Sequence, residues 1–171
     1  MAPAGSFESL AAALQGGADS VYFGIGKLNM RSRATANFAE EDLPEIVARC
    51  HETGAKAYLT LNIIVYDEEL ETVRNLCAAA KAAGVDAVIA SDLAVITHAH
   101  SIGLEVHMSV QANVCNMASV RFYAQYADVV VLARELTLGQ IRRIIDGIRD
   151  EGIRGPSGDL IRVEIFAHGA L

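Results

Sequence analysis

The sequence predicts an α/β protein with a parallel sheet of the (β/α) TIM-barrel-like kind. The barrel is incomplete, with about six to seven of the eight strands that close a full one. Three observations predict this. Short apolar runs rich in β-branched residues alternate with stretches at helical spacing, and no hairpin signal joins one run to the next. Several helical stretches end in glycine just before the next apolar run, so the αβ connections are short. The βα connections are longer and polar, the asymmetry of a barrel with one working face.

The elements follow in order. Ser6–Gln15 places Phe7, Leu10, Ala11 and Leu14 on one helical face and stops at Gly16-Gly17. Ala18–Gly24 (ADSVYFG) reads as the first clear strand, preceded only by the stub Met1–Ala4. A helix is predicted over Glu40–Thr53, then a strand over Ala55–Ile64. Next come a helix over Asp67–Ala83, a strand over Asp86–Ser91, and a helix over Leu93–Ile102. The remaining strands are Leu104–Val110, Ala127–Ala133 and Ile161–His168, separated by helices over Asn116–Tyr126 and Thr137–Glu151. Asp67 and Thr137 are expected as N-caps. GADSV at Gly17–Val21, GVDAV at Gly84–Val88 and YADVV at Tyr126–Val130 repeat one unit. The Gly24-Ile25-Gly26 run opens a polar loop rather than a helix, which argues against a dinucleotide-binding turn. A complete barrel takes about 250 residues, and this sequence has 171.

Composition narrows the function. With 52% hydrophobic and 20% charged residues the chain has enough apolar surface for a core. A net charge of −7 excludes a general nucleic-acid-coating role. No apolar run reaches the roughly 18 residues of a membrane span, and MAPAGSFESL lacks the features of a secretory signal. Cys50, Cys77 and Cys115 are odd in number and widely spaced, so a cytoplasmic location is expected and a disulfide framework is not.

Polar residues gather where strands end. Asn29, Arg31, Arg33 and Asn37 follow the first clear strand, and Thr60 and Asn62 end the second. Ser91-Asp92 ends the third; His107, Ser109, Gln111, Asn113 and Asn116 lie at the fourth; Arg134-Glu135 ends the fifth; Glu164 and His168 lie in the sixth. With period two, Glu105, His107 and Ser109 share one strand face, as do Glu164, Phe166 and His168. The face toward the helices must be apolar, so these residues should point into the barrel. A carboxylate there needs a partner, and Arg134 is the expected partner of Glu164. Arg31, Arg33 and Arg134 suit an anionic ligand such as phosphate or carboxylate, with Asn37, Asn62, Ser109, Gln111, Asn113 and Glu135 completing the substrate-binding set. The catalytic candidates are Glu164, His168 and His107. No nucleophile–base pair is legible, and no metal site is predicted. Glu164 and His168 stand roughly 13 Å apart by strand rise, too far to share an ion.

APAGS at the start, GADSVYFG, RSRATANF, YLTLNI, Ser91-Asp92, HMSVQANVCN, VVLARELT and EIFAHGAL together resemble the peptidase U32 family, from Ala2 to Leu171 in order. Glu164, Phe166, Gly169, Ala170 and Leu171 match the family's E-x-F-x-x-G-[SA]-L-C hallmark up to its cysteine. The resemblance implies the N-terminal portion of a catalytic barrel, with residues 1–171 as one domain short of the family at both ends. It implies a collagenase-like protease. It also implies a rival class, factors that hydroxylate tRNA, ribosomal RNA or ubiquinone with an iron–sulfur cluster. The cluster's four cysteines would lie beyond Leu171, so no cofactor is expected within these residues. An anionic small molecule or RNA is the expected substrate of that class. Open barrel edges at the first and sixth clear strands predict a homo-oligomer.

Overall fold

The computed structural model describes residues 1–26, 28–29 and 38–167. Strands β1 (Ala2–Ala4), β2 (Ser20–Phe23), β3 (Lys56–Leu61), β4 (Ala87–Ala90), β5 (Val106–Met108), β6 (Val129–Val131) and β7 (Arg162–Glu164) form one sheet in chain order. All six pairings are parallel. Helices α1 (Phe7–Gln15), α2 (Leu43–Glu52), α3 (Leu70–Ala83), α4 (Leu93–Ser101), α5 (Met117–Tyr123) and α6 (Leu138–Glu151) alternate with them. The fold is therefore the incomplete parallel barrel expected, with seven strands. The stub at residues 1–4 does pair, Ala2 lying opposite Val21 and Ala4 opposite Phe23.

Alternation along each strand sorts side chains between two apolar layers. Val21, Phe23, Leu59, Val88, Met108, Val130 and Leu132 join buried helix residues such as Leu10, Ile46, Val73, Ile96 and Ile144 in the main core. Tyr58, Ala87 and Ile89, with Tyr22 against them, form a second cluster on the opposite, inner face. This is the arrangement that βαβ crossovers impose when helices cover one face of a curved parallel sheet.

Element ends differ from the sequence expectation for local reasons. The segments before α2 and α3 begin as 3-10 turns, Glu40–Asp42 and Asp67–Glu69, in which the last acidic residue of each accepts from the backbone N–H that precedes the turn. Asp42 accepts from the Ala39 N–H and Glu69 from the Tyr66 N–H, so Asp67 is not the N-cap; Tyr66 occupies that position. Thr137 does cap α6, in a reciprocal box with Gln140. Strand β5 ends at Met108 because Ser109 turns the chain into the 3-10 turn Val110–Ala112. Strand β7 ends at Glu164, and His168 lies outside the described residues. Among the described residues, no helix is long and apolar enough to cross a membrane.

Candidate functional site

Parallel strands in chain order bring every strand's C-terminal end to one rim. Asn62 follows β3, Ser109, Gln111 and Asn113 follow β5, and Arg134 and Glu135 follow β6. Asn62 Nδ2 donates to Ser109 Oγ at 3.3 Å, bridging β3 and β5 over the end of β4. Ser109 Oγ also accepts from the Gln111 N–H. Asn113 adopts left-handed backbone at φ 50°, a conformation asparagine tolerates better than most residues, and so turns the chain toward the Val114–Leu132 bridge. Asp92 caps α4 through the Ala94 N–H and accepts from the Val65 N–H, tying two βα loops together. Gln111, Arg134 and Glu135 are exposed on the rim. Arg31, Arg33 and Asn37, read as the rest of the anion-binding set, lie outside the described residues, as does His168.

Below the rim the inner face is unusually polar. His107 is 1% exposed, and its ring meets Tyr58 edge-on at 4.7 Å between centroids. His107 Nε2 lies 2.9 Å from Glu105 Oε1, and Arg162 donates to the same oxygen. The expected pairing of Glu164 with Arg134 is corrected here: among ion pairs of described residues, the inner-face pair is Arg162 with Glu105. The Arg134 guanidinium lies over the Phe166 ring instead, 5.6 Å from its centroid. The reason is register. Val129 of β6 pairs with both His107 and Arg162, so β5 and β7 present these side chains at one level on either side of a small valine. Arg162 stands two residues before Glu164 and so shares its face. The same period-two count that placed Glu164 inside would have found it.

The charge arrangement perturbs two groups in definite directions. The bond from His107 holds the Glu105 carboxyl below the ordinary glutamate range; burial opposes this, and the charges of His107 and Arg162 together with the Arg162 bond reinforce it. Burial raises the Tyr58 phenol, with Glu164 and Glu105 adding to the shift, so Tyr58 remains a protonated donor. A carboxyl lowered in the folded state contributes stability that is present above its unfolded pKa and lost as pH falls through the folded value. We therefore expect Glu105→Gln to cost stability at neutral pH. The gap between wild type and variant should shrink once pH falls below about 4.3, the ordinary glutamate value. Urea midpoints of both proteins from about pH 3 to pH 7 measure this; a gap that widens on acidification contradicts it.

The cysteines sit elsewhere. Cys50 and Cys77 are buried in α2 and α3, where burial pushes both thiols up to about 11, the behaviour of packing residues. Cys115 is exposed beyond β5, with Asn116 Nδ2 3.6 Å from its sulfur. Among the described residues, no group of three or more His, Cys, Asp or Glu side chains is placed to hold a metal.

A half-barrel of parallel strands with polar groups on one rim and charged groups on its inner face has the architecture of part of a (β/α) barrel. The family model described as "Peptidase family U32" matches residues 5–171, and the chain belongs to that family. It is 52% identical over all 171 residues to a protein of Porphyromonas gingivalis named "Collagenase", covering 41% of that protein's length. It is 40% identical over its whole length to an "Uncharacterized protease" of Methanocaldococcus jannaschii, covering 40% of it. It is 34% identical to "tRNA hydroxylation protein P" of Escherichia coli, with all of this chain and 36% of that protein aligned. The chain thus spans about two fifths of the length of these relatives. A solved U32 peptidase structure superposes with a TM-score of 0.70 at 14% identity, over 99% of this chain and 92% of that one, which shows the shared fold.

Proposed function

We propose that this chain is part of the catalytic barrel of a collagenase-like U32 peptidase, and that peptide substrates engage its strand-end rim. The observation that carries the reading is the 52% identity, over every residue of the chain, to the P. gingivalis protein named "Collagenase". Asn62, Gln111 and Asn113 offer amide groups of the kind that pair with a peptide backbone, with the buried Ser109 hydroxyl bonded to Asn62 behind them, while Arg134 and Glu135 discriminate charge along the rim. Catalysis draws on Glu164 and His107 of the inner face, and His168, which lies outside the described residues, is the third candidate.

A second reading is RNA hydroxylation, favoured by the 34% identity to the E. coli tRNA hydroxylation protein across the whole chain. In that case Arg31, Arg33 and Arg134 would take phosphate. The described cysteines do not fit an iron–sulfur cluster. Cys50 and Cys77 are enclosed in separate helices as thiols, and Cys115 stands apart on the rim side, so a cluster would rest on cysteines outside these residues.

One experiment separates the readings. The full-length protein is incubated with denatured collagen and, separately, with tRNA from cells lacking it. New peptide termini by mass spectrometry support the first reading. A nucleoside that gains one oxygen atom, with collagen intact, replaces it by the second.

A further inference from the structure

We propose that Thr60 Oγ1 and His107 Nδ1 hold one water molecule between them on the inner face of β3–β5, and that His107 is the base that activates it. The catalytic half of this proposal rests on the peptidase reading; the water site does not.

Thr60 is 3% exposed and His107 1%, yet neither Oγ1 of the first nor Nδ1 of the second meets a hydrogen-bonding partner among the described residues. Buried polar atoms are nearly always satisfied, and a stranded one costs about 1–3 kcal/mol. The two atoms belong to one row. Thr60 pairs with Ile89, and Ile89 pairs with His107, so the residues stand at one level with Ile89 between them. At ~4.8 Å per strand their backbones are roughly 10 Å apart. One row higher, a similar span is closed directly by the longer Asn62 side chain reaching Ser109. The His107 ring is held against Glu105 and Tyr58, and it makes no direct bond to Thr60. Ile89 stands between the two residues, the Tyr58 ring packs against His107, and the Asn62–Ser109 bridge lies on the rim side.

The hydrogen-bond inventory matches. A carboxylate only accepts, so in the neutral form of the ring the bond to Glu105 selects the Nε2–H tautomer and leaves the lone pair on Nδ1. Arg162 holds Glu105 in place from β7, making Glu105 and Arg162 positioning residues. A water can then donate to Nδ1 and accept from the Thr60 hydroxyl. In peptide hydrolysis Nδ1 removes one proton from the water as its oxygen bonds to the carbonyl carbon. The C–N bond then breaks, and the proton passes from Nδ1 to the departing amine nitrogen. One water is consumed, two peptides result, and nothing is oxidised or reduced.

The test uses the full-length protein. A crystal structure at water-resolving resolution should show one water within about 3.2 Å of both atoms, absent in Thr60→Val and kept in Thr60→Ser. Nitrogen NMR should find the His107 proton on Nε2. On a cleaved peptide, Thr60→Val should lower kcat by at least about tenfold with KM unchanged, Thr60→Ser should restore it, and Glu105→Gln should lower it as well. A side chain from elsewhere in the protein bonded to either atom overturns the site, as does Thr60→Val with full kcat. A water in place with no peptide cleaved keeps the site and overturns the peptidase reading and the base role with it. Should Thr60→Val fail to fold, the wild-type density and the His107 tautomer decide the site.

Discussion

Phe23→Ala is expected to destabilise the protein by about 3–5 kcal/mol, the usual cost of removing a buried aromatic ring. Phe23 is fully buried on the helix-facing side of β2. Its ring meets Phe38 edge-on at 6.0 Å, and Phe38 meets Phe7 of α1 in the same way at 5.1 Å. The chain of rings ties β2, α1 and the segment leading into α2 together, so the loss is more than one residue's contact area. Phe38 also returns the chain to the sheet through the parallel bridge with Ile25. Removing Phe23 therefore loosens the packing that seats Phe38 against the sheet. Urea denaturation should show the midpoint fall, while Phe23→Leu should recover much of the loss. A Phe23→Ala protein within 1 kcal/mol of wild type, on the order of a surface substitution, would mean that the ring cluster is not the anchor.

Gly155→Ala is the second large effect, at about 3 kcal/mol from overpacking and lost hydrogen bonds combined. A Cβ there would come within 2.3 Å of Asp128 Oδ1 and 2.9 Å of both the Ala127 carbonyl oxygen and Asp128 Cα. Two of these three contacts are backbone and cannot swing away. The turn must move, and with it the Ser157 N–H bond to Asp128 Oδ1 and the Arg162 N–H bond to the Asp128 carbonyl. The second of these sets the register of β7. The variant is thus expected to pull Arg162 off Glu105, and the Glu105 charge effect on pH dependence should weaken together with stability. Thermal unfolding with a repeat of the acid series measures both. Unchanged melting would show that the 153–160 turn yields at no cost.

The fold was legible because its signals are local and repeated. Apolar runs followed by polar loops recur along the chain, and a glycine in left-handed conformation follows each of the six helices except α5. Even the stub at Ala2–Ala4 could be noticed, though three residues carry too little pattern to show that they pair. Boundaries were less legible. Ser109 reads as strand by alternation, but its side chain caps the following turn, a local bond that competes with the ladder. The site was legible as a rim and not as a network. His107 and Glu105 fell on the right face by counting, yet the choice of Arg162 over Arg134 depends on register between β5, β6 and β7, which no single segment encodes. Thr60 was visible as a strand-end residue. That its hydroxyl is stranded depends on which polar atoms the neighbouring strands bring within reach.

Sheet order and chain order coincide from β1 to β7, and this bears on how the molecule is made. Each strand pairs only with its immediate neighbours in the chain, so the separation between partners never exceeds one helix and its connections. Loop-closure entropy is correspondingly modest at every step, about 0.6 kcal/mol for each doubling of loop length. A chain leaving the ribosome can add units one at a time to an existing edge, with no strand waiting for a distant partner. The Glu105–Arg162 pair is an exception of a useful kind. It joins β5 to β7 over β6, and so it can form only after two further strands have docked. The inner-face charge network is therefore assembled late, on a scaffold that is already in place.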